Sequence, residues 1–348
     1  MKRFLLPLTC LAVSSAFFSA CQGKSSDDSS AIAGASSTPQ GGAGATSAAS
    51  GAAGQAQAGA NVGGASGGST SGGTAGSSAG SGTLPSDAGP SDAGIPMIPG
   101  YTFEWSDEFD GPNIDESIWT IVDRPGTSAN QELQYYTARK NSEPGANAFI
   151  QDGALVIEAR QEAWMGFNYT SARLNTLASP MAQFKYGRME ARAKLPEVAG
   201  MWPAFWMEGI NEAQVGWPVG GEIDIMEGKG RLPNFISGAL HRSLTPGSGG
   251  DIVSVQPYTL ASGNYQDTWH VFAVEWDNQQ IRWYVDSALF QSVNRPVTTT
   301  QPWPFDQPFY FLLNLAVGGV FDSGVMPPAN MPPQQYIIDY VRVYQQTM

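Results

Sequence analysis

The chain has 348 residues, a formal net charge of −13 and only two cysteines, Cys10 and Cys21. A polyanion repels nucleic acid and anionic lipid head groups, whereas a neutral polymer such as a glucan carries no such penalty. Every residue after Cys21 lacks sulfur cross-links, so neither a disulfide nor a cysteine nucleophile is available there, and stability must come from an apolar core.

Met1, Lys2 and Arg3 form a short positive start before the apolar run Phe4 to Phe18, a pattern that reads as a signal peptide over residues 1–20. The run ends in Phe18-Ser19-Ala20-Cys21, which resembles a bacterial lipobox. That resemblance implies cleavage before Cys21, a diacylglycerol on its thiol and, with Gln22 following, sorting to the outer membrane. The alternative is an ordinary cleaved signal that leaves Cys21 a free thiol in a secreted protein. Residues 21–100 are dominated by Gly, Ser and Ala and cannot bury enough apolar surface to offset ordering entropy, so they read as a disordered linker. The repeat Pro85-Ser-Asp-Ala-Gly, Pro90-Ser-Asp-Ala-Gly stiffens its end. A coil of this length spans roughly 50 Å, enough to hold a domain clear of a membrane.

Residues 101–348 form one domain with a different texture, short alternating segments punctuated by Gly, Pro, Asn and Asp. Ala148 to Gln151 and Ala154 to Arg160 flank Asp152-Gly153, a strong hairpin signal. Arg188 to Leu195 alternates at period two. Val271 to Trp276, Ile281 to Val285 and Ala288 to Val293 read as a meander. Phe309 to Val317 and Tyr336 to Tyr344 add two strands, the last closing the sheet. No long stretch has helical periodicity. The pattern is all-β, a two-sheet antiparallel sandwich.

Gly221-Glu-Ile-Asp-Ile-Met-Glu-Gly228 carries the chemistry. On a regular strand Glu222 and Asp224 share one face and Ile223 and Ile225 the other, which would turn Glu227 toward the core. Burying an unpaired carboxylate is costly. One extra residue bulged out near Met226 puts all three acids on the same face. The glutamates are then roughly 13 Å apart at Cα, and side chains leaning over Asp224 could bring the carboxyls to about 5–5.5 Å, the spacing of a retaining glycosidase. Crowded acids repel, so at least one pKa should rise, as a general acid needs. One strand upstream, Trp202, Ala204 and Trp206 share a face, two indoles flanking a small residue in a trough where a sugar ring can stack. Asn130, Arg173 and His241 are polar residues in aromatic or apolar settings, as hydroxyl-binding groups would be. The chain has no Gly-x-Ser-x-Gly elbow and only two histidines, so serine esterase and metal-hydrolase chemistry have little support.

The segment Glu222-Ile-Asp-Ile-Met-Glu227 resembles the Glu-x-Asp-x-x-Glu signature of glycoside hydrolase family 16. This is a family of retaining endo-hydrolases with a β-jelly roll of the concanavalin A-like lectin/glucanase type and a concave substrate cleft. Trp105-Ser-Asp-Glu-Phe-Asp-Gly, Asn130-Gln-Glu-Leu-Gln-Tyr-Tyr, Thr170-Ser-Ala-Arg173, Tyr186-Gly-Arg-Met-Glu, Trp202-Pro-Ala-Phe-Trp206-Met, Asn314-Leu-Ala-Val-Gly-Gly and Asp339-Tyr-Val-Arg-Val-Tyr look like family blocks in order.

The resemblance implies that Glu222 is the nucleophile, Glu227 the acid/base, and Asp224 the group that holds Glu222 and shares its proton. The bulged spacing is similar to that of β-1,3-glucanases (laminarinases), agarases and carrageenases, and the Trp202 block to the first of these, in which Asn130, Arg173, Trp202, Trp206 and His241 would line the cleft. It also implies a structural calcium near Glu108, Gly153 and Asp339, a hard cation suited to oxygen ligands, with no cofactor for catalysis. The expected partner is a polysaccharide, with the membrane met only through the lipid anchor, no nucleic acid, and a monomeric state. After His241, Arg242-Ser-Leu-Thr-Pro-Gly-Ser-Gly-Gly lacks the tryptophan that ends the glycine run of many laminarinases, which leaves the preferred glucan open. A non-catalytic glycan-binding module, the same chemistry on mixed-linkage glucan, agarose or carrageenan, and transglycosylation remain as alternatives.

Overall fold

A computed structural model describes residues 94–347 apart from 248, 249 and 299. The expected signal peptide, the expected lipidation site Cys21 and the expected linker up to residue 93 therefore lie outside the described residues. Two eight-stranded sheets dominate. The covering sheet runs Ala288–Asn294, Gln280–Val285, His270–Trp276, Gly187–Lys194, Gln334–Gln346, Ala154–Ala159, Ala148–Gln151, with Tyr101–Asp107 also paired to Gln334–Gln346. The acid-bearing sheet runs Asp251–Thr259, Phe235–Ser243, Glu222–Gly228, Met201–Gly209, Phe309–Val317, Arg173–Asn175, Thr120–Ile121, with Gln183–Phe184 paired to Phe309–Val317. Both are antiparallel throughout. A small third sheet contains a parallel pair, Gln134–Tyr136 with Tyr169–Ser171. Among the described residues the only α-helix is the single turn Glu212–Val215.

The expected hairpin and meander are present. Asp152 and Gly153 both take positive φ, 53° and 72°, as a two-residue turn matched to strand twist requires. One expectation is corrected. The C-terminal strand does not close the sheet; it runs through its middle. Gly187–Lys194 pairs along one edge, while Tyr101–Asp107 and Ala154–Ala159 share the other. Its thirteen residues are long enough to serve two partners end to end. Two strands not anticipated, Phe235–Ser243 and Asp251–Thr259, extend the acid-bearing sheet beyond the acids.

Alternation fixes which face of each strand is core. Phe309, Phe311, Leu313, Leu315 and Val317 point between the sheets, as do Met201, Phe205 and Met207, against Met189, Ala191, Phe272, Val274, Ile281, Trp283, Ile338 and Val341 from the covering sheet. The acid strand has three core residues, Ile223, Ile225 and Met226, all fully buried. Two adjacent residues on one face mean a bulge, and the pairing shows it. Asp224 pairs with Ala239 and Glu227 with Ser237, so two residues face one across that gap. On the other edge Met226 pairs with Phe205 and Asp224 with Trp206, which skips Ile225.

Trp283 pins this bulge from across the sandwich. Its Nε1 donates to the main-chain oxygen of Asp224 at 2.8 Å, in a buried bond. The indole fits there because residue 238 is glycine; a Cβ would stand 2.5 Å from Trp283 Cδ1. Trp283→Phe keeps most of the packing but strips the donor from a buried carbonyl, at a cost of about 1–3 kcal/mol. Chemical denaturation should show that loss at unchanged slope; a variant as stable as wild type would mean the bond contributes nothing.

Candidate active site

The bulge sets three rows across the open face of the acid-bearing sheet. Glu222 lies between His241 and Glu208, Asp224 between Ala239 and Trp206, and Glu227 between Ser237 and Ala204. Glu222 and Glu227 are half-buried and Asp224 is 4% exposed. The acids thus share the face that parity with one bulged residue demands.

Each acid has a distinct set of partners. Trp217 Nε1 donates to Glu222 Oε2 at 2.9 Å. Trp202 Nε1 donates to Glu227 Oε1 at 3.0 Å. His241 Nε2 lies 3.3 Å from Asp224 Oδ2 and 3.9 Å from Glu222 Oε1, while its Nδ1 is 2.8 Å from Asp251 Oδ2. Burial and then the charge of Asp224 raise Glu222 well above the usual carboxylate range, with His241 opposing. Burial and Asp224 likewise push Glu227 up to about 8, against the Trp202 hydrogen bond and the charges of His241 and Lys229. Burial alone would lower His241, but its pairing with Asp224, Glu222 and Asp251 outweighs this and raises it to about 11. The imidazolium is the counter-charge of the cluster. Oxygens of Glu222 and Asp224 and a ring nitrogen of His241 all lie within 4.8 Å of one another, close enough to converge on a metal ion. As they stand, the three form a charge cluster in which the His241 ring pairs with the carboxylates.

The two tryptophans expected to line a trough are half-buried on this face. One face of each ring already has a protein partner. Phe321 stacks on Trp202 at 4.9 Å and 19°, and the Arg173 guanidinium lies 4.6 Å from the Trp206 ring centre. A sugar would meet only the opposite faces. Trp206 Nε1 donates to Asn314 Oδ1 at 2.7 Å. Asn130 donates through Nδ2 to Glu132, and its carbonyl accepts from Val320 N–H at 2.8 Å. That places it beside Gly319, where a Cβ would stand 2.9 Å from the Trp202 ring.

The three residues expected around calcium gather elsewhere in the register. Ile338 pairs with Leu155 and Val341 with Asp107, so Asp339 falls where the hairpin of Gly153 gives way to the strand before Glu108. Arg342 binds both Glu108 carboxylate oxygens at 2.8 and 2.7 Å, and Arg192 binds Asp339 Oδ2 at 2.8 Å.

Sequence reasoning passed over several residues of this face. Glu208 has the parity of Trp202, Ala204 and Trp206, which was a usable signal; it faces Glu222 and accepts from Tyr310 Oη at 2.5 Å. Asn314 is the lone strongly polar residue of an apolar strand, again a usable signal. Trp217 and Asp251 gave none. Trp217 sits in a loop without periodicity, and Asp251 reaches His241 only through strand pairing.

The Glycosyl hydrolases family 16 model matches residues 136–342. "Glucan endo-1,3-beta-glucosidase A1" of Niallia circulans is 38% identical over 281 residues, 72% of this chain but only 39% of that protein. "Beta-glucanase" of Rhodothermus marinus is 39% identical over 256 residues, 71% of this chain and 86% of that one. Among solved structures, the laminarinase catalytic domain from Thermotoga maritima superposes with a TM-score of 0.62 at 38% identity, covering 71% of this chain and 99% of that one. The chain belongs to glycoside hydrolase family 16.

The raised Glu227 has a stability consequence. Its folded pKa exceeds the unfolded value, so the ionised folded form grows costlier as pH rises from about 4.5 to about 8. Glu227→Gln removes that cost. Calorimetry should give a variant Tm above wild type by on the order of 10 °C at pH 8, with the gap closing near pH 4. A gap independent of pH would contradict this account of Glu227.

Proposed function

We propose that the domain is a retaining, endo-acting β-1,3-glucanase that works by double displacement. The observation that carries this reading is the bulge, which brings Glu222, Asp224 and Glu227 to one open face while burial holds Glu227 protonated up to about pH 8. Glu222 attacks the anomeric carbon as Glu227 gives its proton to the departing glycosidic oxygen. Glu227, now ionised, then takes a proton from water, which displaces Glu222 and releases the sugar with retained configuration. Asp224 holds the Glu222 side chain in place, with the His241 ring beside both carboxylates. The substrate choice is supported by the names of two similar proteins, a glucan endo-1,3-beta-glucosidase and a laminarinase, and by the Trp202–Trp206 block. Asn130, Arg173, Trp202, Trp206 and His241 are the proposed binding residues.

Two further elements belong to the proposal. Export with a lipid on Cys21 would place the enzyme at the cell envelope, where a polymeric substrate is met. A structural calcium ion would draw on the main-chain oxygens of Glu108 and Gly153 near Asp339, because Arg342 holds both Glu108 carboxylate oxygens and Arg192 holds Asp339 Oδ2. Adding calcium to chelator-treated protein should then raise its Tm, and an unchanged Tm would remove calcium from the account.

The activity is tested on a panel of laminarin, lichenan, agarose, carrageenan and xyloglucan. Wild type should release reducing ends from laminarin, and Glu222→Gln should lower that rate at least about 10³-fold while keeping the fold. Cleavage of agarose but not laminarin would overturn the substrate. Undiminished activity of Glu222→Gln would overturn the mechanism. Because Glu227 must be protonated to act as acid, kcat/KM should fall as pH rises through about 8.

A further inference from the structure

We propose that Arg231, Asp322 and Phe321 form a positioning clamp for Glu227, acting through the Trp202 ring. This rests on the reading of Glu227 as the acid/base. The turn Gly228-Lys229-Gly230-Arg231 follows Glu227 directly in the chain, whereas Phe321 and Asp322 come from the single 3-10 turn Val320–Asp322 beyond the Phe309–Val317 strand. Arg231 Nε reaches both Asp322 oxygens at 2.9 and 2.8 Å, and its second nitrogen reaches Oδ1 at 2.7 Å. Asp322 is 3% exposed, and Lys229 Nζ lies 3.9 Å from it. The far side of the turn is tied down by the Val320 N–H bond to the Asn130 carbonyl.

The clamped turn presents Phe321 flat against Trp202, and the Lys229 ammonium lies 4.6 Å from the opposite partner of that stack, the Phe321 ring. An indole on a half-open face can swing about its side-chain torsions unless a neighbour fixes its plane. The plane decides where Nε1 points. Among the described residues Trp202 is the one hydrogen-bond donor to Glu227. The ion pair therefore does more than anchor a loop. It sets the orientation of the group that holds the reacting carboxyl, at a distance from the substrate itself.

A structural role and a positioning role separate on two substrates. Cleaving laminari-oligosaccharides needs a proton delivered to the leaving oxygen; expelling dinitrophenolate from a 2,4-dinitrophenyl β-laminaribioside does not. kcat/KM reports the step in which the leaving group departs. Phe321→Leu and Asp322→Asn should lose about tenfold in kcat/KM on the oligosaccharide and less than about twofold on the aryl glycoside. Arg231→Ala should lose as much as Asp322→Asn, and Arg231→Lys, which keeps the charge, should lose less. In Phe321→Leu the alkaline limb should move to higher pH, because the Trp202 bond that favours the ionised carboxyl is weakened while Asp224, His241 and Lys229 still face it. Equal losses on both substrates with an unmoved limb, in variants that remain folded by calorimetry, would overturn the clamp. Glu227→Ala is the control. If it too loses equally on both substrates, the acid/base assignment fails; if it shows the split and Phe321→Leu does not, only the clamp fails.

Discussion

A strand that must bury isoleucine on one face and display three carboxylates on the other cannot be regular when the third acid has the wrong parity. The bulge at Ile225–Met226 resolves this by giving two consecutive residues to the core. A bulge disrupts the ladder locally, and a buried carbonyl left without a donor costs about 1–3 kcal/mol. Trp283 supplies that donor from the opposite sheet, and Gly238 leaves room for its ring. The position of Asp224, and with it the spacing of Glu222 and Glu227, thus depends on a hydrogen bond that crosses the whole core.

Electrostatics makes the same arrangement both expensive and useful. Carboxyls crowded at the floor of an open face resist ionisation, and the fold offsets part of that with the His241 imidazolium, itself fixed by Asp251. The two glutamates are distinguished by their donors rather than their burial. Glu222 faces Trp217 and the histidine, and Glu227 faces Trp202 under the Phe321 stack. One acid lies next to a cation, the other against an aromatic wall. In the proposed mechanism that asymmetry of surroundings goes with Glu222 as nucleophile and Glu227 as acid.

Much of this was legible in the residues. Period-two alternation located the hairpin, the meander and the faces of the Trp202 strand, because each depends on neighbours in sequence. The parity of Glu227 required a bulge, and burial of Ile225 and Met226 together is its physical form. What was not legible depends on which strands come to lie side by side. The C-terminal strand carries no local mark of lying mid-sheet, and Asp251 gains its role only because its strand lies beside that of His241. The open trough was half right: both indoles are on the expected face, but Phe321 and Arg173 cover one side of each, and the covering groups come from distant segments.

The central claim is that the bulged strand makes Glu222 the nucleophile, and covalent trapping tests it most directly. A 2-deoxy-2-fluoro laminaribiosyl donor with a good leaving group forms the glycosyl-enzyme quickly and releases it slowly. Intact mass should rise by one glycosyl unit, and peptide mapping should place that unit on Glu222. A label on Asp224 or Glu227, or turnover to product of inverted configuration with no label, would contradict the account.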